Sequence, residues 1–233
     1  MEQFLQANDY VGVSFWLVSI SMIAATVFFL YEGVQVKSSW RTSMLVVGLV
    51  TLIAGVHYHY MREFWISTGE SPIVYRYIDW LLTVPLQMIE FYLILVAAGL
   101  AVSTYVFWRL LFGTLVMLIG GYAGEIGWVS PALGFVIGMG GWTYIIFEIF
   151  KGESSVAATK KESIKKAFGA LRLIVLVGWS IYPLGYIFGL LTPMIGFETI
   201  NINVLNITYN LADFINKIFF GLIIWNVAIK DKS

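Results

Sequence analysis

Two short stretches carry charge where an apolar chain should not. In RYIDWLLTVPLQMIE, residues 76–90, the residues Arg76, Asp79, Gln87 and Glu90 interrupt a run of Ile, Leu, Val, Met and Trp. In NLADFINKIFFGLIIWN, Asp213 and Lys217 stand i, i+4 on one helix face, with Asn210 one turn further out. At 100° per residue, Arg76, Asp79, Thr83, Gln87 and Glu90 share an arc of roughly 80°. The axial rise from Asp79 to Glu90 is roughly 16 Å, about half a hydrocarbon core. Two acids stacked at different depths suit stations on a proton path, because a buried charge is costly unless it is used. The plainer alternative is a packing seam held by polar contacts, although such seams more often employ Ser, Thr or Asn. Pro85 interrupts the backbone ladder and frees a carbonyl near Thr83. Lys217 lies too far from the tail to reach water easily. It therefore needs a counter-charge or gives up its proton, and Asp213 and Asp79 are the acids at comparable depth. A buried structural Lys–Asp pair and a lysine amine joined to an aldehyde as a Schiff base both satisfy this spacing.

The elements that must position these groups cross a bilayer. The chain has 233 residues, 59% hydrophobic and only 12% charged, too few charges to clothe a soluble domain of this length. Seven apolar windows long enough to span fall near 10–32, 41–62, 74–98, 105–124, 130–150, 168–191 and 203–229. The expected fold class is all-α: a single seven-transmembrane-helix bundle over residues 1–233. Turn signals separate the windows at Gly69 to Pro72, Ser130-Pro131 and Thr192-Pro193 to Gly196. Lys37, Arg41, Arg109, Lys151, Lys160, Lys161, Lys165 and Lys166 collect in the loops after the first, third and fifth spans, and Lys230 and Lys232 in the tail. Only Arg62 and Arg76 lie on the other side. This asymmetry predicts the N-terminus outside and the C-terminus in the cytoplasm. Fourteen basic and fourteen acidic residues cancel, which removes any bulk electrostatic case for nucleic-acid binding. The absence of cysteine excludes disulfides, thiolate metal sites and cysteine nucleophiles; no metal site is expected. MEQFLQANDY has no basic segment leading into an apolar core, so either no signal peptide is used or the chain begins after its removal.

The sixth span reads GWSIYPLGY, with Trp179, Tyr182, Pro183 and Tyr186 at i, i+3, i+4, i+7. Trp80 follows Asp79, and Trp142 lies in the fifth span. Such stripes are usually core, yet a flat apolar ligand tethered to a mid-membrane lysine would need these walls. Taken together, RYIDWLLTVPLQMIEFYLI, GWSIYPLGY and YNLADFINKIFFGLIIWN closely resemble the microbial rhodopsins, and within them the proteorhodopsins, over all seven spans in order.

The resemblance implies that Lys217 carries all-trans-retinal as a protonated Schiff base. Asp79 is then the primary counterion and proton acceptor, Asp213 the second counterion, Arg76 the cation just outside them and Glu90 the proton donor. Asp79, Thr83 and Glu90 match the pattern of outward proton pumps. Trp80, Met117, Gly121, Trp142, Trp179, Tyr182, Pro183 and Tyr186 match retinal-pocket positions, and Tyr58 a partner of the counterions from the second span. His57 is implied to hydrogen-bond Asp79, whereas His59 is expected at the lipid interface. Gln87 matches the colour-switch position, where Gln goes with blue absorption and Leu with green. The resemblance also implies a bacterial inner (plasma) membrane location and a ring-shaped homo-oligomer, with Trp16 a candidate protomer contact.

The implied function is a light-driven outward proton pump, a transporter rather than an enzyme, whose partners are protons and the lipid bilayer. The competing reading is a photosensor with the same chromophore and a slow photocycle, signalling through a partner protein. Glu90 favours the pump, because a sensor needs no fast reprotonation. Chloride pumping would require a neutral residue in place of Asp79, and sodium pumping goes with Asn and Gln in this motif. A seven-helix receptor without retinal leaves Lys217 unexplained. Glu70, Glu125 and Glu198 form no recognisable paired release group. Glu148 with Lys151 reads as an ordinary span end, and the sequon Asn206-Ile207-Thr208 is discounted because it falls at or within a span.

Overall fold

The structure is a computed structural model that describes residues 5–231; Lys232, counted above with the tail lysines, lies outside the described residues. Seven of its helices are long and apolar enough to cross a membrane. Here α1 is Tyr10–Gln35, α2 Arg41–Thr68, α3 Ile73–Ala97, α4 Thr104–Glu125 and α5 Pro131–Lys151. The sixth span, α6, is Glu162–Met194, and α7 is Ile202–Lys230. Each helix packs on its neighbour in chain order, and α7 packs back on α1 and α2 to close the ring. The signals at Gly69 to Pro72 and Ser130-Pro131 act as expected, whereas Thr192-Pro193 lies within the last helical turn of α6 and the break comes after Met194. Gly69 ends α2 at φ 69°, a left-handed conformation that suits glycine. Side chains of Asp9, Ser103, Ser130 and Asn201 cap the starts of α1, α4, α5 and α7.

The bundle turns its polar stripes inward. Leu17, Ile20, Ile23 and Val27 of α1 are exposed, as an apolar solvent permits. Helices α4 and α5 approach closely through small residues: a Cβ on Gly134 would lie 2.6 Å from Gly124 Cα, and one on Gly141 2.5 Å from Met117 N. Seams of this kind hold membrane helices together by close packing.

Two boundaries differ from the sequence reading. Helix α2 continues to Thr68, and α6 begins at Glu162. Helix α6 is also not one regular coil. A 3₁₀ turn occupies Gly178–Ser180, an α-helical turn Ile181–Tyr186 follows, and a π turn spans Ile187–Leu191. Pro183 has no N–H to continue the ladder, and α7 compensates nearby: Asn216 Nδ2 donates to the Gly178 carbonyl at 3.1 Å. The Lys230 end brings a correction. Glu148 is not an ordinary span end but is buried, ion-paired with Arg109 at 3.2 Å and close to Ser154 of the short helix Glu153–Ala158.

Candidate functional site

The stripe read from α3 faces the interior along its whole length: Arg76, Asp79, Thr83, Gln87 and Glu90 are all buried. Helix α7 presents Asp213 and Lys217 to it at the level of Asp79. Lys217 Nζ donates to Asp79 Oδ2 and, at 2.9 Å, to Asp213 Oδ2. Asp213 is further held by Tyr58 Oη at 2.9 Å, Tyr182 Oη at 2.5 Å and Trp80 Nε1 at 3.4 Å. Donors from α2, α3, α6 and α7 thus converge on one carboxylate. Arg76 extends toward the Tyr10 end, donating to Tyr58 Oη, Asn206 Oδ1 and Asn210 Oδ1. Lys217 and Arg76 balance Asp79 and Asp213, so the cluster is neutral, the condition under which charges survive burial.

The other sequence-predicted residues sort as follows. Thr83 Oγ1 donates to the Asp79 backbone carbonyl at 2.9 Å, which anchors the hydroxyl on α3 itself. His57 approaches Asp79 Oδ1 to 3.6 Å, but its Nδ1 lies 3.1 Å from the carbonyl of Ile53 on its own helix. The structure thus brings His57 to Asp79 at ion-pair distance, longer than a hydrogen bond, with the i−4 carbonyl competing for the same nitrogen. His59 is exposed and lies beside the Trp16 ring, itself exposed on α1. Glu90 is buried nearer the Lys230 end, and neither carboxyl oxygen has a hydrogen-bond partner among the described residues. Phe91 beside it meets Phe168 and Phe220 edge-on.

A cavity of about 890 Å³, its mouth included, runs from Lys217 between α3, α4, α5 and α6. Trp80, Gln87, Met117, Gly121, Trp142, Trp179, Tyr182, Pro183 and Tyr186 all line it, with Asp213 and Lys217. Its walls, mostly aromatic and aliphatic, suit a small-molecule site with few polar groups. Sequence reasoning missed Tyr77, Gly138, Tyr209 and Asn216 on the same walls. Asn216 could have been found as the amide preceding Lys217 in an apolar run. It takes Gln87 Nε2 on its backbone carbonyl at 3.0 Å and donates to Tyr182 Oη at 3.3 Å. Asn206, set aside as a sequon, is a buried partner of Arg76 and Ser71.

The family model for bacteriorhodopsin-like proteins matches residues 9–231. The chain belongs to the bacteriorhodopsin-like family. Among these rhodopsins it is 54% identical to the blue-light absorbing proteorhodopsin of Gamma-proteobacterium Hot 75m4, over 98% of this chain and 90% of that one. It is 52% identical, at the same coverage, to the green-light absorbing proteorhodopsin of Gamma-proteobacterium EBAC31A08. The crystal structure of blue light-absorbing proteorhodopsin from Med12 superposes with a TM-score of 0.81 at 50% identity, covering 96% of this chain and all of that one. The chain is therefore a multi-pass membrane protein and a rhodopsin of the proteorhodopsin group. Overall likeness to blue and green relatives is nearly equal, so colour rests on individual residues.

Proposed function

We propose that this rhodopsin is a light-driven proton pump that absorbs blue light and carries all-trans-retinal on Lys217. The observation that carries the reading is the Lys217 amine, buried against two carboxylates in the lining of an aromatic-walled cavity. The residues present fit the group. The amine gives a covalent anchor, Gly121 leaves space where a Cβ would meet Tyr77 Oη at 3.0 Å, and Trp80, Trp142, Trp179 and Tyr182 supply flat walls. Retinal, when bound, supplies the absorption of light and a double-bond isomerisation that redirects the N–H at Lys217.

The chain's own groups do the rest. Asp79, in hydrogen-bond contact with the Lys217 nitrogen, is placed to accept its proton. That transfer neutralises both partners and leaves Arg76 opposite Asp213, so the cluster is neutral before and after. Tyr58, Tyr182 and Trp80 keep Asp213 fixed and occupied with donors, which leaves Asp79 as the exchangeable acid. Glu90, in an apolar setting that favours the uncharged form of an acid, is the reserve from which the nitrogen is reprotonated. Separate acids on either side of Lys217 make the transfer directional. The excess of lysine and arginine in the loops at the Lys230 end supports a cytoplasmic face there; in a bacterial inner membrane, transport then runs outward. Gln87, tied to α7 one residue before Lys217, tunes the colour. The exposed Trp16 face suits contact between copies in a ring.

The test is light-induced pH change in an unbuffered suspension of cells that express the protein and are supplied with retinal. Acidification abolished by a protonophore supports the reading. Coloured cells with no pH change overturn the pump and make a photosensor of the same pigment.

A further inference from the structure

The amides that hold Arg76 have no assigned part in the proposed reaction. The side chain is buried, and its guanidinium makes no ion pair within 4.0 Å of either carboxylate of the cluster. Two amides hold it instead: one terminal nitrogen donates to Asn206 Oδ1 at 3.0 Å and to Asn210 Oδ1 at 2.7 Å. Both amides are oriented by further bonds. Asn206 Nδ2 donates to the Ile202 carbonyl at 3.0 Å, and Asn210 Nδ2 to Ser14 Oγ at 2.8 Å. Their nitrogens committed, each must turn its oxygen to the guanidinium. The rings of Phe15, Tyr209 and Tyr58 lie 5.2, 5.3 and 5.9 Å from the guanidinium carbon and add cation–π attraction. Ser71, half-buried between α2 and α3, donates to the same Asn206 oxygen at 3.0 Å and ties the arrangement to the Tyr10 end.

A buried guanidinium would ordinarily choose a carboxylate over an amide, since bonds between ions are about twice as strong as neutral ones. Two correctly turned amides and three ring faces oppose that choice. We propose that Asn206 and Asn210 are positioning residues that clamp Arg76 away from Asp79 and thereby set how readily Asp79 holds a proton. The proposal rests on the reading that Lys217 carries retinal, because the pigment's colour is its probe. The step concerned is dissociation of the Asp79 carboxylic acid: its O–H breaks, the proton passes to solvent and the electron pair stays on the carboxylate. A cation nearer that carboxylate would stabilise the anion. The groups facing the Asp79–Asp213 pair are His57 and Tyr58 from α2, Arg76 and Trp80 from α3, Tyr182 from α6 and Lys217 from α7. Of these, Arg76 is the one that both amides hold.

The experiment is a dark pH titration of the visible absorbance of the purified holo-pigment, in wild type and in Asn206→Leu and Asn210→Leu. Each substitution frees Arg76 to swing to the carboxylates, so the colour-change midpoint should fall by about one pH unit. In an Arg76→Gln background the same substitutions should add no further shift, which a merely structural role would not explain. A midpoint unchanged or raised in the leucine variants overturns the clamp. If a leucine variant fails to fold, Asn206→Ser, too short to span the gap, decides by the same criterion. A wild-type protein that forms no pigment would instead overturn the retinal reading and is told apart at once.

Discussion

Asp213 and Glu90 are the same chemistry in opposite surroundings. Asp213 receives four donors, from Lys217, Tyr58, Tyr182 and Trp80. Glu90, further along α3, receives no hydrogen bond within 3.5 Å; the Ser43 hydroxyl is its polar neighbour, and Phe91 beside it meets Phe168 and Phe220 edge-on. Burial alone disfavours charge in both. What separates them is the donor set: several donors and a cation surround Asp213, whereas Glu90 has only the Ser43 hydroxyl for polar company. A pump needs both kinds on either side of one nitrogen. The half around Asp213 is ionic and densely bonded, and the half around Glu90 is buried and apolar, which suits a group that must keep a proton until it is required.

Breaking the ionic half at its centre should have the largest effect. Lys217→Ala removes the only amine in the cavity lining among the described residues, so the protein should form no pigment with retinal at all. A normal visible band in that variant would sink the anchor assignment. Breaking the apolar half should cost rate rather than colour. Glu90→Gln keeps shape and removes the exchangeable proton, so recovery after a flash should slow by about a hundredfold, within the range for loss of a general acid. Azide, a small diffusible acid, should restore part of the lost rate. Recovery within about twofold of wild type would place the proton reserve elsewhere.

The middle of the stripe sharpens the comparison. Excitation moves positive charge away from the nitrogen at Lys217, so a fixed dipole nearby shifts the two electronic states unequally. Gln87 is such a dipole, pinned by its bond to the Asn216 carbonyl. Gln87→Leu should therefore move absorption to longer wavelength, toward green, with the pigment otherwise intact. An unchanged maximum would show that this amide does not tune the colour.

Much of this was legible because it is periodic. The α3 stripe needed only 100° per residue, and Lys217 with Asp213 only a one-turn offset, so burial and depth followed. The pocket walls on α6 were readable for the same reason, although the helix departs from regularity there. That departure was not legible: Pro183 announces a break, but the 3₁₀ and π turns depend on what α7 offers, and Asn216 is remote in sequence. Contacts between helices escaped in general. His57 matched a counterion partner by resemblance, yet its nitrogen is claimed by a carbonyl four residues back. Glu148 was misread because Arg109 is brought to it only by the packing of α4 on α5. Asn206 and Asn210 look inert until Arg76 arrives from another helix.

The smallest effect lies outside the bilayer, where water weakens what the interior strengthens. Asp231 ends α7 and joins three elements, accepting from Lys161 Nζ at 2.5 Å and Trp40 Nε1 at 2.9 Å. Partial burial works against its charge, but the bonds from Lys161 and Trp40 outweigh that and hold its pKa below the usual carboxylate value. A depressed value means that the folded state favours the anion more than the unfolded chain does. The stabilisation is therefore complete above about pH 4, the unfolded range for Asp, and fades as pH falls through the lower folded value. Solvent screening limits it to about 1 kcal/mol or less. Asp231→Asn should lower the thermal midpoint of the detergent-solubilised pigment slightly at neutral pH. The gap between variant and wild type should close on acidification and narrow in high salt. A gap that persists unchanged into acid would mean that Asp231 acts through packing against Trp40 rather than through its charge, and the contrast between screened end and unscreened core would lose its clearest measure.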